Sequence, residues 1–406
     1  TLINFSHNYP VSKLNYEDIK EFNSTPVFIV GNGPSLDSLE HFLSENKEKA
    51  IIVSCGSALS ALIKKGIKPD IHIEQERMLL VSDWIEESTT REERSGIHFI
   101  ALNPCHPKSF ELFDKGYFAL KPNDLGVELL SSLGVNGATV DHCLPVVGNL
   151  ALSVIIHMGF TNIYLAGLDC GMVDKKAHHS SDSNYFNTES DYYELMHAAN
   201  VGTDYFEIKG NFREKVLTTP VYNYSRVELE ALLSKFDVTC YNLSDGAYIE
   251  GTIPLRADSI SCLTILKNKD RSIENTLNTY FKLDSIDSKL ILEQVNSIRP
   301  DILESITALE AFFNIGQLTS KELIKNFDTL ELVLNALNLS DKTSYRLLNG
   351  SIRGIAYKLS VAKHNLSSAD FDEYYSIAKV LIEQFFLEIK DDIENNFLTY
   401  DAYKPT

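Results

Sequence analysis

Short β-rich segments alternate with amphipathic helical patterns through the first 255 residues, and this alternation constrains the fold more than any other feature. Between the strands, helical patterns such as Ser57–Lys65 and Gly148–Met158 each end at a glycine, which is the usual stop signal of a helix. Strands that alternate with helices predict a Rossmann-like, doubly wound α/β fold with a mainly parallel sheet. The predicted strands are Val27–Val30, Ile51–Ser54, Asp70–Glu74, His98–Leu102, Tyr117–Leu120, Asn162–Ala166 and Val238–Tyr241.

Glycine and proline are concentrated in the same part of the chain. Of 20 glycines, 17 lie before residue 255, as do 10 of 12 prolines. A sheet-containing domain needs turns, whereas a helical bundle needs few. Apolar residues at helical spacing, such as Ile377, Val380, Leu381 and Phe385, predict amphipathic helices in the tail. We therefore expect a lead-in over residues 1–25, an α/β domain over 26–256 and an all-α domain over 257–406.

Charge and composition exclude several function classes. The net charge of −19 disfavours nucleic-acid binding, because such proteins present basic surfaces. No apolar run approaches the roughly 20 residues of a membrane span, and no signal-peptide pattern opens the chain. The six cysteines are scattered without a C-x-x-C pair, which indicates neither a zinc ribbon nor a redox motif. We expect a cytoplasmic protein with buried thiols.

A glycine loop after the first predicted strand is the candidate nucleotide site. The strand runs directly into Gly31-Asn32-Gly33-Pro34-Ser35-Leu36, and a helical pattern follows. Glycines allow the backbone to turn sharply and approach a ligand, and a helix N-terminus offers N–H donors to a phosphate. The loop lacks the third glycine of the dinucleotide fingerprint and the lysine of a P-loop, so a plain strand-to-helix turn is the alternative.

Further small or polar residues follow other predicted strands or open the next helix. Ligands of open α/β sheets bind at the carboxyl ends of the strands, so these positions are expected to border one pocket. A packing glycine at position 148 and a solvated strand end at position 74 are the structural alternatives. The nucleotide-binding candidates are Gly31, Asn32, Gly33, Ser35, Gly56, Glu74, Gln75, Asn103, Gly148 and Asn149.

Several ordered motifs carry a resemblance to a known family. They are residues 29–36, Gly56-Ser57-Ala58-Leu59, residues 66–70, residues 148–169 ending in Ala166-Gly167-Leu168-Asp169, and residues 242–251. Together they resemble the motility-associated factor (Maf) family, which O-glycosylates bacterial flagellin with nonulosonic acids. The core is also similar to small bacterial sialyltransferases that use CMP-sugars, and to an archaeal pterin pyrophosphokinase family. The family usually carries a sizeable domain ahead of the glycine loop, so residues 1–25 are expected to be the remnant of one, and a short member of the family is the alternative.

The resemblance implies a GT-A-like or sialyltransferase-like core and transfer of a pseudaminic- or legionaminic-type acid from a CMP-sugar to flagellin hydroxyls. It places a histidine base in the polar loop 174–185, where His178 is favoured over the adjacent His179, with Asp169 as a further catalytic candidate. Two solvent-exposed loop histidines are the alternative. No D-x-D motif follows a strand of the front domain, so we expect transfer without metal or other cofactor.

Two other functions remain open from the sequence. A 6-hydroxymethylpterin pyrophosphokinase would need magnesium, for which Glu74, Glu76 and Asp169 are the available carboxylates. A non-catalytic adaptor that binds flagellin would have a disrupted pocket. The helical tail favours the transferase, because a small pterin needs no docking domain for a protein acceptor.

Overall fold

The computed structural model describes residues 9–13, 23–132, 134–135, 137–190, 193, 204–261, 263–283, 288–313 and 319–396. The chain forms two compact units. The first comprises residues 3–122 and 136–285, and the second comprises residues 123–135 and 286–406. The first is an α/β unit and the second is helical.

A ten-stranded sheet forms the centre of the first unit. Its strands are β1 (Val11–Ser12), β2 (Val27–Val30), β3 (Ile51–Cys55), β4 (Ile71–Glu74), β5 (His98–Leu102), β6 (Lys115–Ala119), β7 (Asn162–Ala166), β10 (Thr239–Asn242), β11 (Ile253–Pro254) and β12 (Phe281–Lys282). They lie in the order β11-β10-β7-β2-β3-β4-β5-β6-β1-β12. All neighbouring strands pair in parallel except β1 and β12, which are antiparallel. The central strands are buried on both faces, which explains their continuous apolar sequences. A separate antiparallel pair consists of β8 (Phe206–Lys209) and β9 (Lys215–Thr218).

Helices connect the strands of the first unit. The first of them packs Leu36, Leu39 and Leu43 into a core shared with Phe28 of β2 and Ile52 of β3. The helices of this unit are α1 (Ser35–Asn46), α2 (Ala58–Lys64), α3 (Leu79–Ser88), α4 (Arg91–Arg94), α5 (Pro107–Glu111), α7 (Val147–His157), α8 (Pro220–Leu233) and α9 (Lys269–Tyr280).

The second unit is a helical bundle with its own apolar core, which includes Ile306, Phe313, Leu348 and Phe386. One of its helices is supplied from the middle of the chain, where Glu128 pairs with Lys342 at 3.1 Å and Arg346 at 2.8 Å. The helices of this unit are α6 (Leu125–Ser132), α10 (Ser288–Phe313), α11 (Ser320–Asn326), α12 (Leu330–Ser340), α13 (Lys342–Asn365) and α14 (Ser368–Asp391). None of the helices within the described residues is long and apolar enough to cross a membrane.

The predicted α/β class with a helical region behind it is confirmed, and all seven predicted strands are present. The units divide at a different place from the expected boundary at residue 256. Residues 257–285 group with the first unit, because Leu277 and Tyr280 of α9 are buried and β12 pairs with β1. Residues 123–135 group with the bundle, which composition could not indicate.

Candidate functional site

One cavity of about 450 Å³ lies at the carboxyl ends of the central parallel strands, within the first unit. Its volume is in the range of small-ligand sites. The loops after β2, β3, β4 and β7, the start of α7 and the segment around residues 178–185 form its walls. Ten of the thirteen predicted site residues line it, namely Gly31, Asn32, Gly33, Gly56, Glu74, Gln75, Gly148, Asp169, His178 and His179.

The glycine loop after β2 is packed against the loop after β7. The Gly31 N–H donates to the Ala166 carbonyl at 2.8 Å, and the Gly33 N–H donates to the Gly167 carbonyl at 2.8 Å. These two N–H groups are therefore used by the fold and are not available to a phosphate. Contact between this loop and a nucleotide stays a prediction. The backbone N–H group of Asn32 remains available for such a contact, because it donates to no described residue.

Glycine is required in this loop because of the close approach of the two backbones. A Cβ at position 31 would lie 2.5 Å from the Gly167 carbonyl oxygen, and one at position 33 would lie 2.7 Å from the same atom. At position 33 the added carbon would also overlap the Asp169 carboxylate. Close packing of the two loops therefore requires both glycines, whether or not the loop also contacts a ligand.

Asp169 joins three strand-end loops. Ser35 donates its hydroxyl to Asp169 Oδ1 and its N–H to Oδ2 at 3.3 Å. The Ser35 hydroxyl in turn accepts the Asp245 N–H at 2.8 Å. Burial raises the pKa of Asp169 to about 7, against the hydrogen bonds from Ser35 that lower it. Because its oxygens are held by protein donors, Asp169 positions the glycine loop. Ser35 lies behind the cavity wall.

Asn32 projects into the cavity from the glycine loop. Its Nδ2 donates to the hydroxyl oxygens of Ser57 at 2.9 Å and Ser183 at 2.7 Å. Its Oδ1 is buried and has no partner among the described residues. Asn32 is thus fixed by the fold and still has one polar atom for a ligand.

Two polar residues at the end of β4 also face the cavity. Burial raises the pKa of Glu74 to about 7, and its Oε1 accepts the N–H groups of Gln75 at 2.8 Å and Glu76 at 3.3 Å. Gln75 donates Nε2 to the Pro145 carbonyl at 2.6 Å, and its buried Oε1 has no partner among the described residues. A carboxyl whose pKa lies near neutrality suits proton transfer.

The start of α7 supplies backbone donors to the cavity. Val147 and Gly148 are the first two residues of α7, so their N–H groups have no partner within the helix, and both residues line the cavity. A helix N-terminus with free N–H groups favours an anion. A Cβ on Gly148 would overlap the Leu168 side chain, so packing also requires this glycine.

Asn149 and Asn103 do not line the cavity. Asn149 is fully buried, accepts the hydroxyl of Ser225 at 2.7 Å and donates to the Ser225 carbonyl at 2.9 Å. Asn103 accepts the Lys121 N–H at 2.7 Å. The expectation that these side chains contact the nucleotide is not supported by their positions, because their amides are used to hold α7, α8 and the loop after β6.

The histidine pair lies at one side of the cavity. His179 stacks on Tyr185 with ring centroids 4.0 Å apart, and the His178 ring lies 4.7 Å from that of His179. Burial, together with His178, lowers the pKa of His179 to about 3. His179 is therefore neutral at pH 7 and a weak base, which favours His178 for proton transfer, as the sequence comparison did.

The segment that carries these histidines is tied to α1 and α2. Lys65 Nζ, almost fully buried, lies 3.2 Å from Asp37, 3.1 Å from Glu40 and 2.5 Å from Asp182. The Asp37 carboxylate also accepts the Ser181 N–H at 2.9 Å. A buried cation with three carboxylates holds the loop at a fixed place beside the cavity.

Sequence reasoning missed the aromatic wall of the cavity. Trp84 of α3 meets Tyr185 edge to face at 5.1 Å, and Tyr222 of α8 also lines the space. The helical spacing of Leu80, Val81 and Trp84 was the available signal for this wall. No Lys or Arg is among the described residues that line the cavity, so the donors available there to an anion are N–H groups, hydroxyls and imidazoles.

The carboxylates suggested for magnesium do not form a joint site. Asp169 is engaged by Ser35, and Glu74 by two backbone N–H groups. No three His, Cys, Asp or Glu side chains lie close enough together to hold a metal ion in the part of the chain that the structure describes.

The chain is similar to one family and to two solved structures. A family model described as 6-hydroxymethylpterin diphosphokinase MptE-like matches residues 1–175. The structure of the Maf glycosyltransferase of Magnetospirillum magneticum AMB-1 matches with a TM-score of 0.71 at 20% identity, over 100% of this chain and 60% of that one. The chain thus spans about 60% of the length of that enzyme.

The sialyltransferase CstII of Campylobacter jejuni, solved with cytidine-5'-monophosphate, matches with a TM-score of 0.34 at 12% identity. It covers 63% of this chain and 99% of its own, and a score this low establishes no common fold. No curated protein matches the chain in sequence. The family model matches residues 1–175, and over its whole length the chain has the fold of the Maf glycosyltransferase.

Proposed function

We propose that this chain is a glycosyltransferase that moves a nonulosonic acid from a CMP-sugar to serine or threonine hydroxyls of flagellin, without a metal. The observation that carries the proposal is the single cavity in which the α7 N-terminus, Asn32 and the histidine pair come together. The Maf fold over the whole chain supports the same class of activity.

In the proposed transfer, one group of this chain acts on the leaving phosphate and another acts on the acceptor hydroxyl. The acceptor oxygen attacks the anomeric carbon while the bond from that carbon to the phosphate oxygen breaks, and CMP leaves with the electron pair. The free N–H groups of Val147 and Gly148 donate hydrogen bonds to the phosphate of the leaving CMP. These bonds are strengthened by the helix dipole and by a site from which water is excluded. His178 takes the proton of the acceptor hydroxyl, since burial lowers the pKa of His179 to about 3 and leaves that imidazole a weak base.

A pterin diphosphokinase is the second candidate, because the family model carries that description. That reaction transfers a diphosphate from ATP and depends on magnesium held by carboxylates. Glu74 Oε1 and the Asp169 carboxylate are held by protein donors, and among the described residues no lysine or arginine lines the cavity to bind a triphosphate. These residues favour the CMP-sugar over ATP.

Ligand-dependent stabilisation separates the two candidates. Purified protein is heated with CMP, ATP with magnesium, or 6-hydroxymethylpterin, and donor hydrolysis is followed with and without EDTA. A ligand at 100 times its Kd stabilises the native state by about 2.7 kcal/mol, so binding gives a clear shift. We expect a shift with CMP and hydrolysis that survives EDTA. Stabilisation by ATP and pterin but not by CMP would replace the transferase with the kinase.

We propose that the helical unit binds the protein acceptor. The alternative function for the chain is that of a non-catalytic adaptor that binds flagellin. Helix α14 exposes Ile377 and Leu381, each at 61%. Ile377→Glu with Leu381→Glu is expected to reduce transfer to flagellin while CMP binding stays unchanged. Leu339→Glu, on exposed α12, is the matched control. Equal rates of transfer by the wild type, the double variant and Leu339→Glu would exclude the face of Ile377 and Leu381 as the docking site.

A further inference from the structure

The orientation of the Gln75 side chain is fixed by its partner. Its amide group donates to the Pro145 carbonyl at 2.6 Å, and a carbonyl oxygen can only accept. The nitrogen therefore points to Pro145, and the other end of the amide must be the oxygen. This Oε1 is buried without a partner among the described residues, and Gln75 lines the cavity. A buried acceptor in a ligand cavity calls for a hydrogen-bond donor on the ligand.

The surroundings of Gln75 make it selective for a donor. Glu74 and Glu76 lie beside it along the chain, and the Pro145 carbonyl is directly against its amide. The atom that Gln75 leaves without a partner is an acceptor, and no Lys or Arg lines the cavity among the described residues. A phosphate, carboxylate or carbonyl oxygen would be repelled here, whereas an N–H group would be bound.

This corner lies next to the proposed anion site. Pro145 precedes Val147 by two residues, which limits their separation to about 7 Å. A Cβ on Gly56 would lie 3.2 Å from Val147 Cγ2 and 3.6 Å from Glu74 Oε2, so the loop after β3, the end of β4 and the start of α7 meet at one place. The ligand group that meets Gln75 is therefore close to the anion that α7 holds.

We propose that Gln75 Oε1 accepts a hydrogen bond from the acylamino N–H of the donor sugar, and so distinguishes the complete donor from CMP alone. The inference rests on the proposed function. In a CMP-nonulosonic acid the acylamino group is carried by the same sugar ring as the carboxylate and the phosphate bond. The amino group of cytosine is separated from the phosphate by the whole ribose. Proximity to the α7 N-terminus therefore favours the sugar over the base.

Calorimetric titration of Gln75→Met with CMP and with CMP-nonulosonic acids tests the proposal. Methionine keeps the length of the side chain and removes the acceptor. We expect the variant to bind CMP within about twofold of the wild type and the acylamino donor at least about tenfold more weakly, the usual effect of an unmet hydrogen bond in a binding site. Gln384→Met on exposed α14 is the matched control and should change neither affinity.

Each alternative has its own result. Equal loss of affinity for CMP and for the donor would mean that Gln75 contacts the nucleotide. Unchanged affinity for both would exclude any contact with the ligand. If the variant does not fold, wild-type protein is titrated with a donor whose acylamino group is replaced by hydrogen, which should bind at least about tenfold more weakly, and equal affinity would overturn the proposal. Failure of the wild type to bind CMP or any CMP-sugar would instead reject the proposed function.

Discussion

Glu74→Gln is expected to become stabilising relative to the wild type as the pH rises. Burial raises the pKa of Glu74 from the ordinary 4.5 to about 7 in the folded chain. The folded state therefore binds its proton more tightly than the unfolded state does. The carboxyl contributes full stability below about pH 4.5, and that contribution is lost as the pH rises through about 7. Glutamine keeps the shape and the acceptor oxygen, and it does not titrate.

The size of the effect follows from the shift in pKa. One pKa unit corresponds to about 1.36 kcal/mol, so the difference between 4.5 and about 7 gives at most about 3–4 kcal/mol. The free energy of unfolding of Glu74→Gln minus that of the wild type is expected to rise by about 2–3 kcal/mol between pH 5 and pH 8, because part of the change lies below pH 5. The raised pKa of Asp169 cancels in the difference, because both proteins contain it.

Urea unfolding at pH 5, 6, 7 and 8 measures this difference. Trp84 is the single tryptophan of the chain and belongs to the unit that contains Glu74, so its fluorescence reports on the relevant transition. A difference that stays within about 0.5 kcal/mol across this range, far below the linkage value, would refute the burial argument. A difference of the opposite sign would mean that a cation stabilises the carboxylate.

Three further outcomes follow from the site. Gly33→Ala should destabilise the chain by about 1–3 kcal/mol or more, because the added methyl group overpacks the loop. Gly350→Ala is the control in the same urea assay and should be stabilising, because its methyl group would meet nothing within 4 Å inside a helix. Equal free energies of unfolding for the two variants would contradict the close approach of the Gly33 and Gly167 backbones. His178→Ala should slow transfer by about 10²–10⁴-fold with CMP affinity unchanged, and a larger loss in His179→Ala would move the base by one residue. Lys65→Met should accelerate hydrogen exchange over residues 178–184 and slow transfer more than it weakens CMP binding; unchanged exchange would show that the ion cluster does not hold the loop.

The strands of the sheet were predictable because parallel strands covered on both faces are continuous apolar runs bounded by turn residues. The short strands β1 and β12 were not, since two residues carry no periodicity and become a strand only by pairing with segments far away in the sequence. The same reason moves the unit boundary from residue 256 to residue 285. Pairing between residues that are 270 positions apart leaves no local signal.

In the helical tail, the sequence predicted a helix but not which of its faces is buried. Periodicity predicted α14 correctly, yet Ile377, Val380 and Leu381 are exposed. The bundle buries Tyr375 and Ile382 instead, from another face of the same helix. A helix with apolar residues over most of its circumference does not specify by itself which face its neighbours cover.

At the site, the sequence determined which residue types stand at the strand ends, and hence that a cavity with small and polar walls forms there. Only the tertiary structure decided how their hydrogen-bonding groups are used. Gly31 and Gly33 give their N–H groups to Ala166 and Gly167, more than 130 residues away, and Asn149 gives its amide to α8. A backbone donor has one proton to give, so its partner in the fold determines whether any is left for a ligand.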